Sequence, residues 1–310
     1  MLDVLQGFST IAVVVALGYL LAHLRVLDTP AQLMLSRLAF FVASPALLLT
    51  VMARTPIDAI VSASLVSSLS SVVITVATYL LIASWRWRPS LGESVIGCLS
   101  AAYVNAGNLG LPIALYVLGD ISLMAPTLLM QLLIITPVAM ALLDSDARGE
   151  RPTLRRSIGR VVRNPMTMGA LAGLLISVFG LGIPAVIMRP IDVVGAMAVP
   201  LMLIAFGISL RLGPKPGAHG SMPHVATLVG LKLVVQPVAA VGVGYLFVGL
   251  RGPALFAAAV TAALPTAQNI FTMANRYNRE VHLARDAIFA TTLLSVPVIL
   301  LIAFLFKGLG

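Results

Sequence analysis

Charge is scarce in this chain. Asp, Glu, Lys and Arg make up 10% of its 310 residues, where a soluble globular domain carries about 25%. Hydrophobic residues reach 59% and the mean hydropathy is +1.04. Such a chain cannot clothe itself for water, which excludes a soluble domain and defines an integral membrane protein. Aromatics are few, at 6%. The bulk is Ala, Val, Leu, Ile and Gly, which suits closely packed spanning helices and not the period-two strands of an outer-membrane barrel. A single cysteine, Cys98, excludes a disulfide within the chain and stands among small residues as packing. The opening MLDVLQGF lacks the basic start of a cleaved leader, and the apolar run after it is too long for one, so it reads as the first span.

Acids are missing where an ion carrier would want them. Asp58, Glu93 and Asp120 lie at span ends, and none sits clearly at mid-depth. A carboxylate cation site or proton relay therefore finds little support. His23, His219, His224 and His282 lie in or beside loops and form neither a metal set nor a catalytic pair. No nucleophile–base pair stands at mid-depth, so the chain is not read as an enzyme, and no cofactor is implied.

What is present is a series of apolar runs. With about 20 residues per span, ten spans are expected: 4–24, 30–52, 58–84, 93–118, 121–143, 165–182, 185–211, 223–248, 252–276 and 283–306. The loops after spans one, three, five, seven and nine hold fourteen of the twenty basic residues, six of them between Arg148 and Arg163. The opposite side holds only Arg54, Arg251 and Lys307. This excess serves topology and not nucleic-acid binding: it places the odd loops in the cytoplasm and both termini outside, in the inner (plasma) membrane. The loop arginines also suit anionic lipid.

The polar segment 144–164 divides the chain into a first repeat, 1–143, and a second, 165–310. Five spans per half means the halves enter from opposite sides, so any repeat is inverted. Landmarks support one. Gly18 falls on Gly173 and Pro45 on Pro200, both at a shift of 155, while Pro112 and Pro137 lie near Pro265 and Pro297.

The fourth span carries VNAGNLGLP, residues 104–112. Pro112 lacks an N–H and constrains Leu111, and Gly107 and Gly110 permit unusual dihedrals. A break is expected between about 107 and 111, with Pro112 opening a new half-helix and the N–H groups of Ile113 and Ala114 facing the gap. The ninth span repeats the device as ALPTAQN. There Pro265 frees the Thr261 carbonyl and the N–H groups of Thr266, Ala267 and Gln268. Paired breaks in inverted halves point to a transport site near the midplane. Helix N-termini with the amides of Asn105, Asn108, Gln268 and Asn269 favour an anionic group. The bland alternative is that the asparagines merely repair a kink.

Other polar residues carry two readings each. Gln131, in the fifth span, either bonds a neighbouring helix or faces the site. Lys232 lies about 14 Å into the eighth span. It is either the positive partner of an anion or a donor to carbonyls freed at a break. Asp192 stands three residues from Arg189, a spacing that suits a structural ion pair. Ser64, Ser67, Ser68 and Ser71 share one face of the third span, which reads as close packing.

The patterns around Asn105, Gly110 and Pro112, and around Ala262, Ala263, Leu264, Pro265, Phe271, Ala274, Tyr277 and Asn278, resemble the auxin efflux carrier family. The second-span SRLAFFVASPALLL is similar to that family as well. The resemblance implies an all-α, ten-helix transporter built as a five-plus-five inverted repeat, with the broken fourth and ninth spans crossing beside the substrate. Spans one, two, six and seven would form a scaffold that can pair into a homodimer. Spans three to five and eight to ten would form a mobile transport domain. Asn105 would be the crossover asparagine, and Gln131 would match a fifth-span glutamine of plant members. The short central loop is as in bacterial members. The serine-rich third span lacks the acid and lysine of the plant supporting site. Bacterial members are associated with malate, malonate and auxin-like acids.

The expected function is a secondary transporter of small organic anions by elevator-like alternating access, in the lipid bilayer, with H+ or Na+ as coupling ion. The substrate-binding candidates are Asn105, Asn108, Gly110, Pro112, Gln131, Pro265, Thr266, Gln268 and Asn269, with Lys232 as a charge partner. The alternatives are a sodium-coupled bile-acid-type symporter of the same design, and a channel.

Overall fold

A computed structural model describes residues 2–56, 63–148, 164–212 and 222–307. Asp58, Lys215, His219 and the arginines from Arg151 to Arg163 lie outside the described residues. The described chain is helical, and its only extended pairing is an isolated antiparallel bridge between Val104 and Thr266.

Among the described residues twelve helices follow in order: α1 (Leu2–His23), α2 (Thr29–Arg54), α3 (Ala63–Arg86), α4 (Leu91–Ala102), α5 (Ala106–Leu118), α6 (Ile121–Ala147), α7 (Pro165–Val178), α8 (Ala185–Leu212), α9 (Met222–Leu246), α10 (Gly252–Ala262), α11 (Asn269–Tyr277) and α12 (Val281–Lys307). Six of these, α2, α3, α6, α8, α9 and α12, are long and apolar enough to cross a membrane, and shorter apolar helices accompany them. The protein is a multi-pass membrane protein.

Prolines shape three of the long helices and the shorter α5 without breaking them. A widened turn of five residues runs over Ala39–Ala43, Ala106–Gly110, Gln131–Ile135 and Leu231–Val235. Each ends two residues before a proline: Pro45, Pro112, Pro137 and Pro237. In three of them the residue just before the proline visibly donates across five positions: Ser44 to the Ala39 carbonyl, Thr136 to Gln131, and Gln236 to Leu231. Proline lacks a donor and its ring presses on the preceding turn. Widening the turn relieves both, which is the use of a π-bulge. Gln131 and Lys232 sit inside these widened turns.

The described residues fall into two compact units. One takes the described parts of 1–61, 107–129 and 160–214; the other takes those of 62–106, 130–159 and 215–310. In the first, α1 packs on the second part of α8, and the second part of α2 packs on α7 and the first part of α8. Glycines allow these approaches. A methyl group at Gly18 would overlap the Ile204 carbonyl, and one at Gly173 would overlap the Leu49 carbonyl. Gly173 and Ile204 each lie 155 positions beyond Gly18 and Leu49.

Asp192 does not pair with Arg189 as its spacing suggests. Its Oδ2 accepts from Arg54 Nη2 at 2.6 Å. Arg54 ends α2, which runs along α8, so the neighbouring helix supplies a cation end-on.

In the second unit α3 packs on α9 and α4, α9 packs on α10, and α12 lies against α9, α10, α11 and α4. The serine face of α3 meets α9: Ser67 is fully buried and donates to the Ala240 carbonyl at 2.8 Å.

Candidate functional site

The break in the fourth apolar run lies at Tyr103–Asn105, not at 107–111. Helix α4 ends at Ala102, three residues run extended, and α5 begins at Ala106. Pro112 is inside α5, behind its widened turn, and Ala114 N–H donates to the Leu111 carbonyl. It therefore opens no half-helix, and Ala114 N–H faces no gap. Tertiary pairing causes the real break. Asn105 N–H donates to the Pro265 carbonyl at 2.8 Å, and Ala267 N–H donates to the Tyr103 carbonyl at 3.2 Å.

The partner strand of this crossing is the break between α10 and α11, at residues 263–268. Pro265 stands in it as the sequence suggests. The Thr261 carbonyl is not freed, because Leu264 N–H donates to it at 3.3 Å. Two of the expected free donors are also used: Thr266 N–H reaches Thr291 Oγ1 at 3.1 Å, and Ala267 N–H takes the Tyr103 carbonyl.

The carbonyls that the two breaks leave over are taken by side chains. Lys232 is fully buried, and its Nζ donates to the Ala262 carbonyl at 2.8 Å and to Gln236 Oε1 at 2.6 Å. Gln236 Nε2 donates to the Ala102 carbonyl at 2.9 Å. One Lys–Gln pair, four residues apart on α9, thus caps the last carbonyls of both α4 and α10. Gln131 Nε2 donates to the Val104 carbonyl at 2.9 Å, and Thr266 Oγ1 to the Ser100 carbonyl at 2.6 Å. An unpaired buried carbonyl would cost about 1–3 kcal/mol, so these donors hold the crossing in its shape.

Asn105, Gln131, Lys232, Pro265 and Thr266 are buried together in this unit. Gln268 is half-buried and Asn269 exposed, at the start of α11. Asn108, Gly110 and Pro112 belong to the other unit, where Gly110 and Pro112 are buried and a methyl group at the neighbouring Gly107 would stand 3.3 Å from Met166 Cε. Gln236, Tyr103, Ser100 and Thr291 were not legible as site residues. Only the four-residue spacing of Lys232 and Gln236 on one helix face signals their partnership.

At the ends of α3, α9 and α11 the unit that holds the crossing also has a recess of about 740 Å³, lined by Trp87, Glu93, His224, Asn275, Glu280 and His282 among others. Trp87 stacks on the His224 ring at 3.9 Å. Burial, and after it the charge of Glu93, raises the Glu280 carboxyl above its usual range.

Residues 4–303 match the family described as "Membrane transport protein". The chain belongs to that family, the auxin efflux carrier family. This membrane transport protein is 26% identical over 304 residues to the "Putative malonate transporter" of Rhizobium meliloti (strain 1021), covering 94% of this chain and 92% of the relative. It is 27% identical over 294 residues to an "Uncharacterized transporter" of Methanothermobacter thermautotrophicus, covering 93% of each. It is 27% identical over 146 residues to "Auxin efflux carrier component 1" of Arabidopsis thaliana, covering 46% of this chain and 23% of the plant protein.

Proposed function

We propose that this transporter carries small organic anions, with malonate, malate and auxin-like acids as the candidate substrates. One observation carries the reading. Side chains take the carbonyls left over at the crossing: Lys232 and Gln236 at Ala262 and Ala102, and Gln131 at Val104. With those acceptors occupied, the polar groups that remain beside the crossing are the side-chain amides of Gln268 and Asn269 at the start of α11. Donors at helix N-termini select an anion. Lys232 Nζ is already engaged by two neutral partners, Gln236 and a carbonyl, which fixes it beside the crossing.

Ten spans in a five-plus-five inverted repeat suit the chain. The paired glycine contacts of Gly18 with Ile204 and Gly173 with Leu49, both at a shift of 155, support it. Alternating access of the elevator type follows from that design, with spans three to five and eight to ten as the moving part and the rest as a scaffold that can dimerise. The Lys232–Gln236 pair weighs against the sodium-coupled alternative, because it already occupies the Ala262 and Ala102 carbonyls that a cation would need as ligands.

A thermal-stability screen of organic acids on the purified protein tests the reading. Malonate, malate or indole-3-acetate is expected to raise the melting temperature in the absence of sodium. Stabilisation by none of them, or only with sodium present, overturns it.

A further inference from the structure

The residue just before the bridge does more than end a helix. Tyr103 caps α4, with φ −84° and ψ 108°, and turns the chain into the extended crossing. Its side chain is buried in one hydrophobic cluster with Ala139 of α6 and with Ala267, Ile270 and Ala274 in and beside α11. Its hydroxyl lies 3.1 Å from Thr136 Oγ1 and also has the Asn269 side chain as a hydrogen-bond partner. Its carbonyl accepts from Ala267 N–H, two residues before Asn269. One side chain therefore touches α6 and the start of the half-helix α11.

We propose that Tyr103 is a positioning residue, which through a hydroxyl held by Thr136 fixes the Asn269 amide for contact with the transported anion. The inference rests on the organic-anion reading and adds to it a residue that need not touch substrate. The geometry gives the reason. Asn269 is exposed and is the first residue of α11, so its amide would swing freely without a fixed partner. A buried phenol has two torsions and, wedged between helices, few rotamers, so it makes a rigid anchor. Thr136 stands one residue before Pro137, at the close of the widened turn that begins at Gln131. The same turn thus supplies the donor to Val104 and the support for Tyr103.

The test is uptake of radiolabelled malonate, malate and indole-3-acetate into proteoliposomes. The variants are Tyr103→Phe, Thr136→Val, Asn269→Ala and the double variant Tyr103→Phe/Asn269→Ala. Tyr103→Phe keeps the ring and loses only the hydroxyl. It is expected to raise KM about tenfold and leave kcat within about twofold. Thr136→Val is expected to move KM in the same direction by less. Asn269→Ala is expected to add little on top of Tyr103→Phe, because the two act through one contact. A purely structural Tyr103 would instead lower the amount of folded carrier and leave the KM of the remainder unchanged, and that result overturns the inference. Multiplying effects in the double variant overturn it too. If Asn269→Ala weakens uptake while Tyr103→Phe keeps the wild-type KM, the inference fails and the anion reading stands. If the wild type takes up none of the three acids, the anion reading itself fails, and the inference with it.

Discussion

Asn105 and Pro265 lie 160 positions apart in the chain, yet the N–H of one donates to the carbonyl of the other at 2.8 Å. That bond, and its companion between Ala267 and Tyr103, makes two interrupted helices into one structure. Irregular backbone in a membrane persists only where protein or a watery cavity satisfies it. Here protein satisfies the carbonyl side through Lys232, Gln236, Gln131 and Thr266.

Lys232→Met keeps most of the apolar stem and removes the ammonium. It strands the Ala262 carbonyl and Gln236 Oε1 in a dry interior. The expected loss is about 2 kcal/mol or more, seen as a lower melting temperature in detergent. Gln236→Leu should cost a similar amount, and the double variant less than the sum of the two. Equal and additive losses would mean that the two side chains do not share a network.

Gly18→Ala and Gly173→Ala each drive a methyl group into a facing carbonyl, that of Ile204 or Leu49. Helix backbones must separate to admit it, at about 1–3 kcal/mol each. The two variants are expected to lower the melting temperature by several degrees and by similar amounts, since the contacts are counterparts at a shift of 155. A large loss from one and none from the other would argue against the repeat.

Glu280 gives a pH signature. Its carboxyl is raised by burial first and by Glu93 second. A group raised on folding contributes stability while protonated and loses it as pH rises through the folded value. Glu280→Gln is uncharged throughout. It should therefore melt higher than wild type at pH 8, by about 1–2 °C for so half-buried a group, and level with it at pH 4. A gain that grows towards acid pH would have the wrong sign.

Particular residues show how far the sequence could be read. Pro265 was legible because it stands in the break itself. Pro112 misled because proline weakens a helix without deciding how the helix responds. Here a widened turn absorbs it, as at Pro45, Pro137 and Pro237. The actual break at Tyr103–Asn105 has no local signal of its own, because a strand from far along the chain imposes it. Lys232 left two readings open by depth alone, and its bond to the Ala262 carbonyl became visible only with that carbonyl's position. Asp192 shows the same limit. Its neighbour in sequence is Arg189, and its neighbour in space is Arg54. The apolar runs, by contrast, needed no partner to be read, since each declares its own burial in lipid.

The central claim is that the crossing binds the transported anion, and Asn105 stands at its middle. The most direct measurement is malonate uptake by wild type and Asn105→Ala in proteoliposomes, at matched amounts of folded carrier. Saturable uptake by the wild type, abolished in Asn105→Ala with the melting temperature retained, is the expected result. Uptake by Asn105→Ala at the wild-type rate would contradict it.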